Sequence, residues 1–223
     1  MLQSYERYMK QAMVDKNPNI ASAAIISSLW QGNASPAGTE VVKRWSNEAI
    51  EALTSDNVMV QYHALGFLYH VKRSDRLAVS KMVARMIKSP LKSPLATCFL
   101  IRMAAMLIDT DKASEQRLLD FLESCLRHQS DMVVFEAANA LVNFKQANLK
   151  PALTALQHFC ASQVSALRFA AVKTLNQISI RFPEAVSLCN SDLESLISDT
   201  NRSIATLAIT TLLKTGAESS VER

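Results

Sequence analysis

The chain has few of the residues on which most catalytic and metal-binding motifs are built. Its four glycines, Gly32, Gly38, Gly66 and Gly216, are isolated, so no phosphate-cradling loop or dinucleotide fingerprint can be assembled from them. Its four cysteines, Cys98, Cys125, Cys160 and Cys189, are unevenly spaced and form no CxxC, which removes zinc ribbons and thioredoxin-type sites; they read as reduced, core-facing thiols rather than a disulfide framework. Of the four histidines, His63 and His70 share a helix face, but seven residues apart, whereas a helical metal pair sits at i, i+4 and needs a further ligand. Both read as structural or interface histidines. Asp109 with Asp111 and Asp192 with Glu194 are paired carboxylates, yet neither pair has a credible nucleophile or acid partner near it in sequence, and a solvated loop accounts for each. No catalytic, cofactor-binding or metal-binding residue is expected, no cofactor is implied, and the chain reads as a non-enzyme.

Long apolar runs are also missing. The best candidate, Cys98 to Ile108, is too short to span a bilayer and is interrupted by Arg102. Met1-Leu2 leads directly into an amphipathic pattern, so no signal peptide is expected. About half the residues are apolar, which excludes a disordered chain and suffices for a continuous core. Sustained strand alternation is absent as well, so essentially no sheet is expected.

What the sequence does contain is a recurring helical stripe. With Ser22, Val60, Thr97, Val134, Leu167 and Ile204 as anchors, the intervals by subtraction are 38, 37, 37, 33 and 37 residues. Small or apolar residues follow each anchor at +3, +4, +7 and +8: Ala137, Ala138, Leu141 and Val142 after Val134; Ala170, Ala171, Thr174 and Leu175 after Leu167; Leu207, Ala208, Thr211 and Leu212 after Ile204. A period in the high thirties with two helices per unit marks a HEAT or armadillo type array. Asp56, Ser130, Ser162 and Asp199 stand four or five residues before their anchors as candidate N-caps, and Asn17-Pro18 and Ser93-Pro94 add a proline at the first helical position.

Between the anchored helices the pattern predicts partners over residues 3–14, 39–53, 75–88, 113–127, 150–161 and 183–198, the last with a break near Asn190. One hairpin cannot bury its own stripe, so neighbours must stack. The fold class expected is all-α, a right-handed α-solenoid of about six HEAT/armadillo-like hairpins. Residues 1–223 read as a single segment, cut from a longer solenoid because capping repeats are missing at both ends and residues 218–223 look like the start of another helix.

Charge is distributed unevenly. From Lys72 to Arg102 there are eight basic residues, Lys72, Arg73, Arg76, Lys81, Arg85, Lys88, Lys92 and Arg102, against the single acid Asp75. Lys81, Arg85 and Lys88 follow i, i+4, i+7 and form a ridge, the candidate docking surface of the chain. The ridge fits an anionic membrane, a nucleic acid or an acidic partner face; it also fits an ordinary solvated helix face.

Four runs carry a more specific signal: DNVMVQYHALGFLYHVKRSDRLAVSKM from Asp56 to Met82, VVFEAANALVN from Val133 to Asn143, LRFAAVKTLN from Leu167 to Asn176, and DLESLISDTNRSIATLAITTLLKTGAESSVER from Asp192 to Arg223. Together they resemble the trunk of the coatomer gamma family, the adaptin-like large subunits of the COPI vesicle coat. Residues 32–40 and 109–116 match it poorly and are expected to be inter-helix insertions. The resemblance implies a non-catalytic coat scaffold in Golgi-to-ER and intra-Golgi transport. It further implies association with the other coatomer subunits, especially the small zeta subunit, with an Arf-family GTPase, and peripherally with Golgi membranes from the cytoplasm. The alternative from another class is a HEAT-repeat nucleic-acid-binding protein using the basic 72–102 region. Against it, the charge is local and only Tyr62, Tyr69 and Phe99 are at hand to stack on bases, so no nucleic acid is expected.

Overall fold

The computed structural model describes residues 2–88, 91–108, 115–144 and 148–216. They are helical with short connections, and no strand occurs among them. The chain divides into two compact units, residues 1–111 and 112–223.

The first unit holds α1 (Leu2–Met13), α2 (Pro18–Ala34), α3 (Pro36–Lys43), α4 (Ser46–Ala52), α5 (Val58–Lys72), α6 (Arg76–Lys88) and α7 (Pro94–Ile108). Here α1 packs on α2, α4 on α5 and α6 on α7, while α2, α5 and α7 stack in that order to form a second layer. The second unit holds α8 (Glu115–Cys125), α9 (Asp131–Leu141), α10 (Leu149–Cys160), α11 (Ser165–Ile178), α12 (Pro183–Ser187), α13 (Asn190–Ser195), a 3-10 turn (Leu196–Ser198) and α14 (Arg202–Thr215). In it α8 packs on α9, α10 on both α9 and α11, and α13 on α14, with α11 stacked on α14. All six anchored helices and their partners are present, and the break expected near Asn190 separates α12 from α13.

The apolar stripe is buried where small side chains let helices approach. Ala64, Ala104, Ala138, Ala171 and Ala208 have no solvent exposure, and larger residues such as Leu68, Ile101, Leu141 and Leu175 fill the space between layers. Burying one such large side chain contributes about 1.5–3 kcal/mol relative to leaving it in water. The first stripe departs from its expected register. Ala21, Ala24, Ile25, Ser28 and Gly32 are buried in α2, whereas Trp30, at +8 from Ser22, is 75% exposed. This rotation brings Gly32 against Val42 of α3, whose atoms lie 3.5 Å from where a glycine Cβ would stand, and lets the Thr39 hydroxyl donate to the Gly32 carbonyl at 2.6 Å.

The partner helix expected over 39–53 is two helices. Fully buried Trp45 sits between them with φ −91° and ψ 12°, off the helical geometry. The break allows α3 to pack on α2 while α4 packs on α1 and α5, a divergence that one straight helix could not make. Helix α3 starts at Pro36 under a Ser35 cap, so residues 32–40 are helical for most of their length rather than an insertion loop. At Gly38 a Cβ would meet the Gln31 carbonyl oxygen at 2.5 Å, so only glycine permits this approach.

Several caps lie one or two residues downstream of the expected positions. Asn57, not Asp56, accepts from the Met59 and Val60 amides, and Asn201, not Asp199, accepts from Ser203. Ser130 is the N-cap residue of α9 but makes no side-chain capping bond, and Ser162 accepts from Val164, one residue ahead of α11. Asn17 and Ser93 cap as expected, accepting from Asn19 and Ala96. Asp56 and Asp199 are therefore available for other bonds: Asp56 pairs with Lys92, and Asp199 with Arg168.

Two polar side chains one residue after their anchors tie consecutive turns together. Buried Gln61 donates through Nε2 to the Ser55 carbonyl (2.9 Å), and its Oε1 accepts from the Lys92 and Ser93 amides (3.0 and 3.1 Å). Arg168 does the same in the second unit. Its Nη1 donates to the Ser162 and Gln163 carbonyls (2.9 and 3.1 Å) and its Nε to Asp199 Oδ2 (2.7 Å). Each clamp spans its own preceding turn and the turn of the next repeat. A polar residue at an otherwise apolar stripe is the sequence signal that could have identified both.

Candidate docking surface

Helix α6 is amphipathic, and its two faces are cleanly divided. Val79, Met82, Val83 and Met86 are buried, and Lys81, Arg85 and Lys88 are exposed along the opposite side. None of the three forms an ion pair among the described residues. The single acid of the region, Asp75, accepts from the Ala78 amide at 3.0 Å and so caps the start of α6. At about 1.5 Å per residue it lies roughly 9 Å along the axis from Lys81, too far to neutralise the ridge. Arg85 also borders a hollow of about 220 Å³ with Asp56, Gln61 and Lys92. The Asp56 carboxyl is held below its ordinary value by the hydrogen bond and charge of Lys92, which offsets that lysine locally. The structure thus brings Lys81, Arg85 and Lys88 together as one strip without ion pairs among the described residues and leaves Lys92 outside it.

The remaining candidates resolve individually. His63 lies between helices, its Nδ1 2.6 Å from the Ser22 hydroxyl, and His70 Nε2 donates to Asn33 Oδ1 at 2.6 Å. Burial depresses both imidazoles below their ordinary range, with Arg73 adding to the effect on His70. They bridge α5 to α2, and no metal-competent group of three His, Cys, Asp or Glu side chains occurs among the described residues. All four cysteines are buried. Burial, with the neighbouring Cys189 and Asp192, pushes the Cys160 thiol up to about 12, and burial with Asp192 pushes Cys189 up to about 11, so both stay protonated and unreactive at neutral pH. Asp192 is on α13 and not in a solvated loop; it accepts from Gln157 Nε2 at 3.1 Å. Asp109 and Asp111 lie outside the described residues, as do residues 218–223. Among the described residues no helix is long and apolar enough to cross a membrane.

Both units are thus built from helical pairs stacked through alanines and clamped from turn to turn, with cations exposed along one helix of the first. In comparison with known proteins, the model of the adaptin N-terminal region matches residues 1–223. The chain belongs to the adaptin N-terminal region family. Over its whole length it is 59% identical to coatomer subunit gamma of Drosophila melanogaster, 58% to coatomer subunit gamma-2 of Takifugu rubripes and 56% to coatomer subunit gamma-1 of Rattus norvegicus. The chain spans 26% of the length of each of these relatives.

Among solved structures, an engineered protein superposes with a TM-score of 0.55 at 14% identity, covering 94% of this chain and 96% of that one. A designed armadillo repeat protein superposes with a TM-score of 0.52 at 13% identity, covering 93% and 98%. At these identities the likeness is one of fold alone, and it places this adaptin-family chain in the all-α, armadillo/HEAT-type class.

Proposed function

We propose that the chain is a non-catalytic scaffold segment of a vesicle coat, working as part of the trunk of a coatomer-gamma large subunit in Golgi-to-ER and intra-Golgi transport. The observation that carries this reading is 59% identity to a coatomer gamma subunit across all of the chain. In this reading residues 1–223 act as one segment of a longer trunk. Its partners are the other coatomer subunits, zeta foremost, and an Arf-family GTPase; it works from the cytoplasm, peripherally on Golgi membranes. The strip Lys81, Arg85 and Lys88 is its docking surface for an anionic face, supported by its exposure and by the lack of ion pairs among the described residues.

The test is affinity capture from cytosol with the tagged full-length protein, the co-purifying chains being identified by mass spectrometry. Zeta and the remaining coatomer subunits are the expected catch, and their joint absence overturns the reading. Titration against duplex DNA at two salt concentrations covers the nucleic-acid alternative. Useful affinity near physiological salt with a steep salt slope would replace the coat reading with that one.

A further inference from the structure

The second layer of the first unit carries a groove of about 340 Å³ along α5, on helices that do not include the basic ridge. Its walls are set by heptad spacing on one helix. Tyr62 and Tyr69 line the side facing α7, where Phe99 is wedged between them, with ring centroids 6.4 and 5.3 Å away and both contacts edge-on. His63 and His70 line the side facing α2, held there by Ser22 and Asn33. Between the four stands Gly66, and nothing lies within 4 Å of where its Cβ would be. Tight helix contacts do not explain this glycine, which instead keeps the floor of the groove open.

The groove is furnished with polar atoms that the fold does not consume. The Tyr62 hydroxyl, His63 Nε2 and the Asn33 amide nitrogen make no hydrogen bond among the described residues. These groups suit the alternating donors and acceptors of a peptide backbone, while the aromatic wall suits an apolar side chain.

Charge selects among peptides. Helices α2, α5 and α7, which form the groove, contain no Asp or Glu at all. Lys72 and Arg73 stand three and four residues after Tyr69 and so close the C-terminal end of α5. We infer that this groove binds an extended acidic peptide, with one aliphatic side chain seated over Gly66 against Tyr62, Tyr69 and Phe99 and carboxylates directed to Lys72 and Arg73. The inference goes beyond the coat reading and stands independently of it.

Fluorescence anisotropy with the purified chain tests it. The probe is a fluorescein-labelled nonapeptide with a central leucine flanked by glutamates and serines; its counterparts replace every glutamate by glutamine or by lysine. The acidic probe is expected to bind, the glutamine version about tenfold or more weaker, and the lysine version weaker still. Gly66→Leu fills the floor and is expected to weaken binding by at least about tenfold. Leucine is the stronger helix former, so that variant keeps its fold, which a circular dichroism melt verifies. Lys72→Glu with Arg73→Glu is expected to produce a similar loss, whereas the ridge variant Lys81→Glu, Arg85→Glu, Lys88→Glu leaves the affinity unchanged. Equal binding of the glutamine peptide, indifference to Gly66→Leu, loss on reversing the ridge, or no binding of the acidic probe up to about 1 mM would each overturn the inference.

Discussion

The two compact units apply different chemistry at equivalent points of the same helical frame. One residue after the anchor, the first unit places neutral Gln61 and the second places Arg168 with its partner Asp199, and each side chain ties its own turn to the next repeat's. On the partner helices, Lys81, Arg85 and Lys88 of α6 are followed 35 residues later by Gln116, Asp120 and Glu123 of α8, so one repeat shows cations where the next shows an amide and two carboxylates. The shared frame demands that a side chain at the clamp position satisfy buried turn groups, but it leaves open whether that side chain is charged. It demands nothing of the exposed ridge.

The largest effect expected is at the charged clamp. Asp199 is 5% exposed and Arg168 17%. Arg168→Met removes the guanidinium, leaving two carbonyls without their donor and the Asp199 carboxylate with the Asn201 amide but no counter-ion, a loss harder to accommodate than that of a neutral bond. A fall of several degrees in melting temperature is expected. Gln61→Met in the first unit strands two amides and a carbonyl, each at a cost of about 1–3 kcal/mol if water cannot reach it, and is expected to destabilise less than Arg168→Met. Thermal melts of both variants rank the clamps, and the reverse order would mean that charge contributes nothing special to the second.

Overpacking probes what the units share. Ala64 and Ala171 occupy the +4 position of their stripes and neither has any exposure. Replacing either by Leu is expected to cost about 1–3 kcal/mol. Chemical denaturation should give similar values for both, and a parent-like Ala171→Leu would show that the register of that stripe tolerates an added isobutyl group.

These cases also show what could be read from the sequence. The anchored helices were legible because burial imposes a 3.6-residue period, and Ala138, Ala171 and Ala208 lie where that period puts them. The break at Trp45 was not, because Val41, Val42, Ala49, Ala52 and Leu53 keep a helical pattern on both sides of it, and only the separate packing of α3 and α4 reveals why the chain turns. Caps slipped because Asp-Asn and Asp-Thr-Asn runs offer several equivalent oxygens. The clamps and the groove depend on contacts more than thirty residues apart, which spacing within one helix cannot encode. The ridge was visible at once, since i, i+4, i+7 fixes a face without reference to tertiary structure.

Acid separates the units further. The folded pKa of His63 and His70 is lowered from 6.5. As the pH falls below that value, the unfolded chain takes up protons first, so stability present above 6.5 declines through the window beneath it. Asp199 is lowered from 3.8, chiefly by its hydrogen bond from Arg168 and then by that from the Asn201 amide. Its contribution is present above 3.8 and is lost as the pH falls through the depressed folded value. Residue-resolved hydrogen exchange is expected to show α2 and α5 loosening modestly near pH 5.5 while α11 and α14 hold, with the second unit following only below about pH 4. Simultaneous loosening would mean that the histidines carry no linkage of their own. His63→Gln with His70→Gln should remove the early phase and leave the later one.

The smallest effect on stability, and the largest on association, is expected at the ridge. Exposed substitutions away from buried features usually shift stability by no more than about 0.5 kcal/mol each, so Lys81→Glu, Arg85→Glu and Lys88→Glu together should melt close to the parent. If the cations dock against an anionic face, capture of the assembled coat by Golgi-like liposomes carrying the active GTPase should weaken in this variant. The deficit should shrink as salt is raised, because exposed charges are screened beyond a Debye length of about 8 Å at physiological ionic strength. The matching change in the other unit, Asp120→Lys with Glu123→Lys, serves as the counter-test. If docking reads total charge, this change should strengthen capture as much as the first weakens it. If docking reads the geometry of α6, it should do little. Unchanged recruitment at low salt in both variants would make the contrast between the ridges a feature of solvation alone, leaving apolar surfaces as the docking determinants.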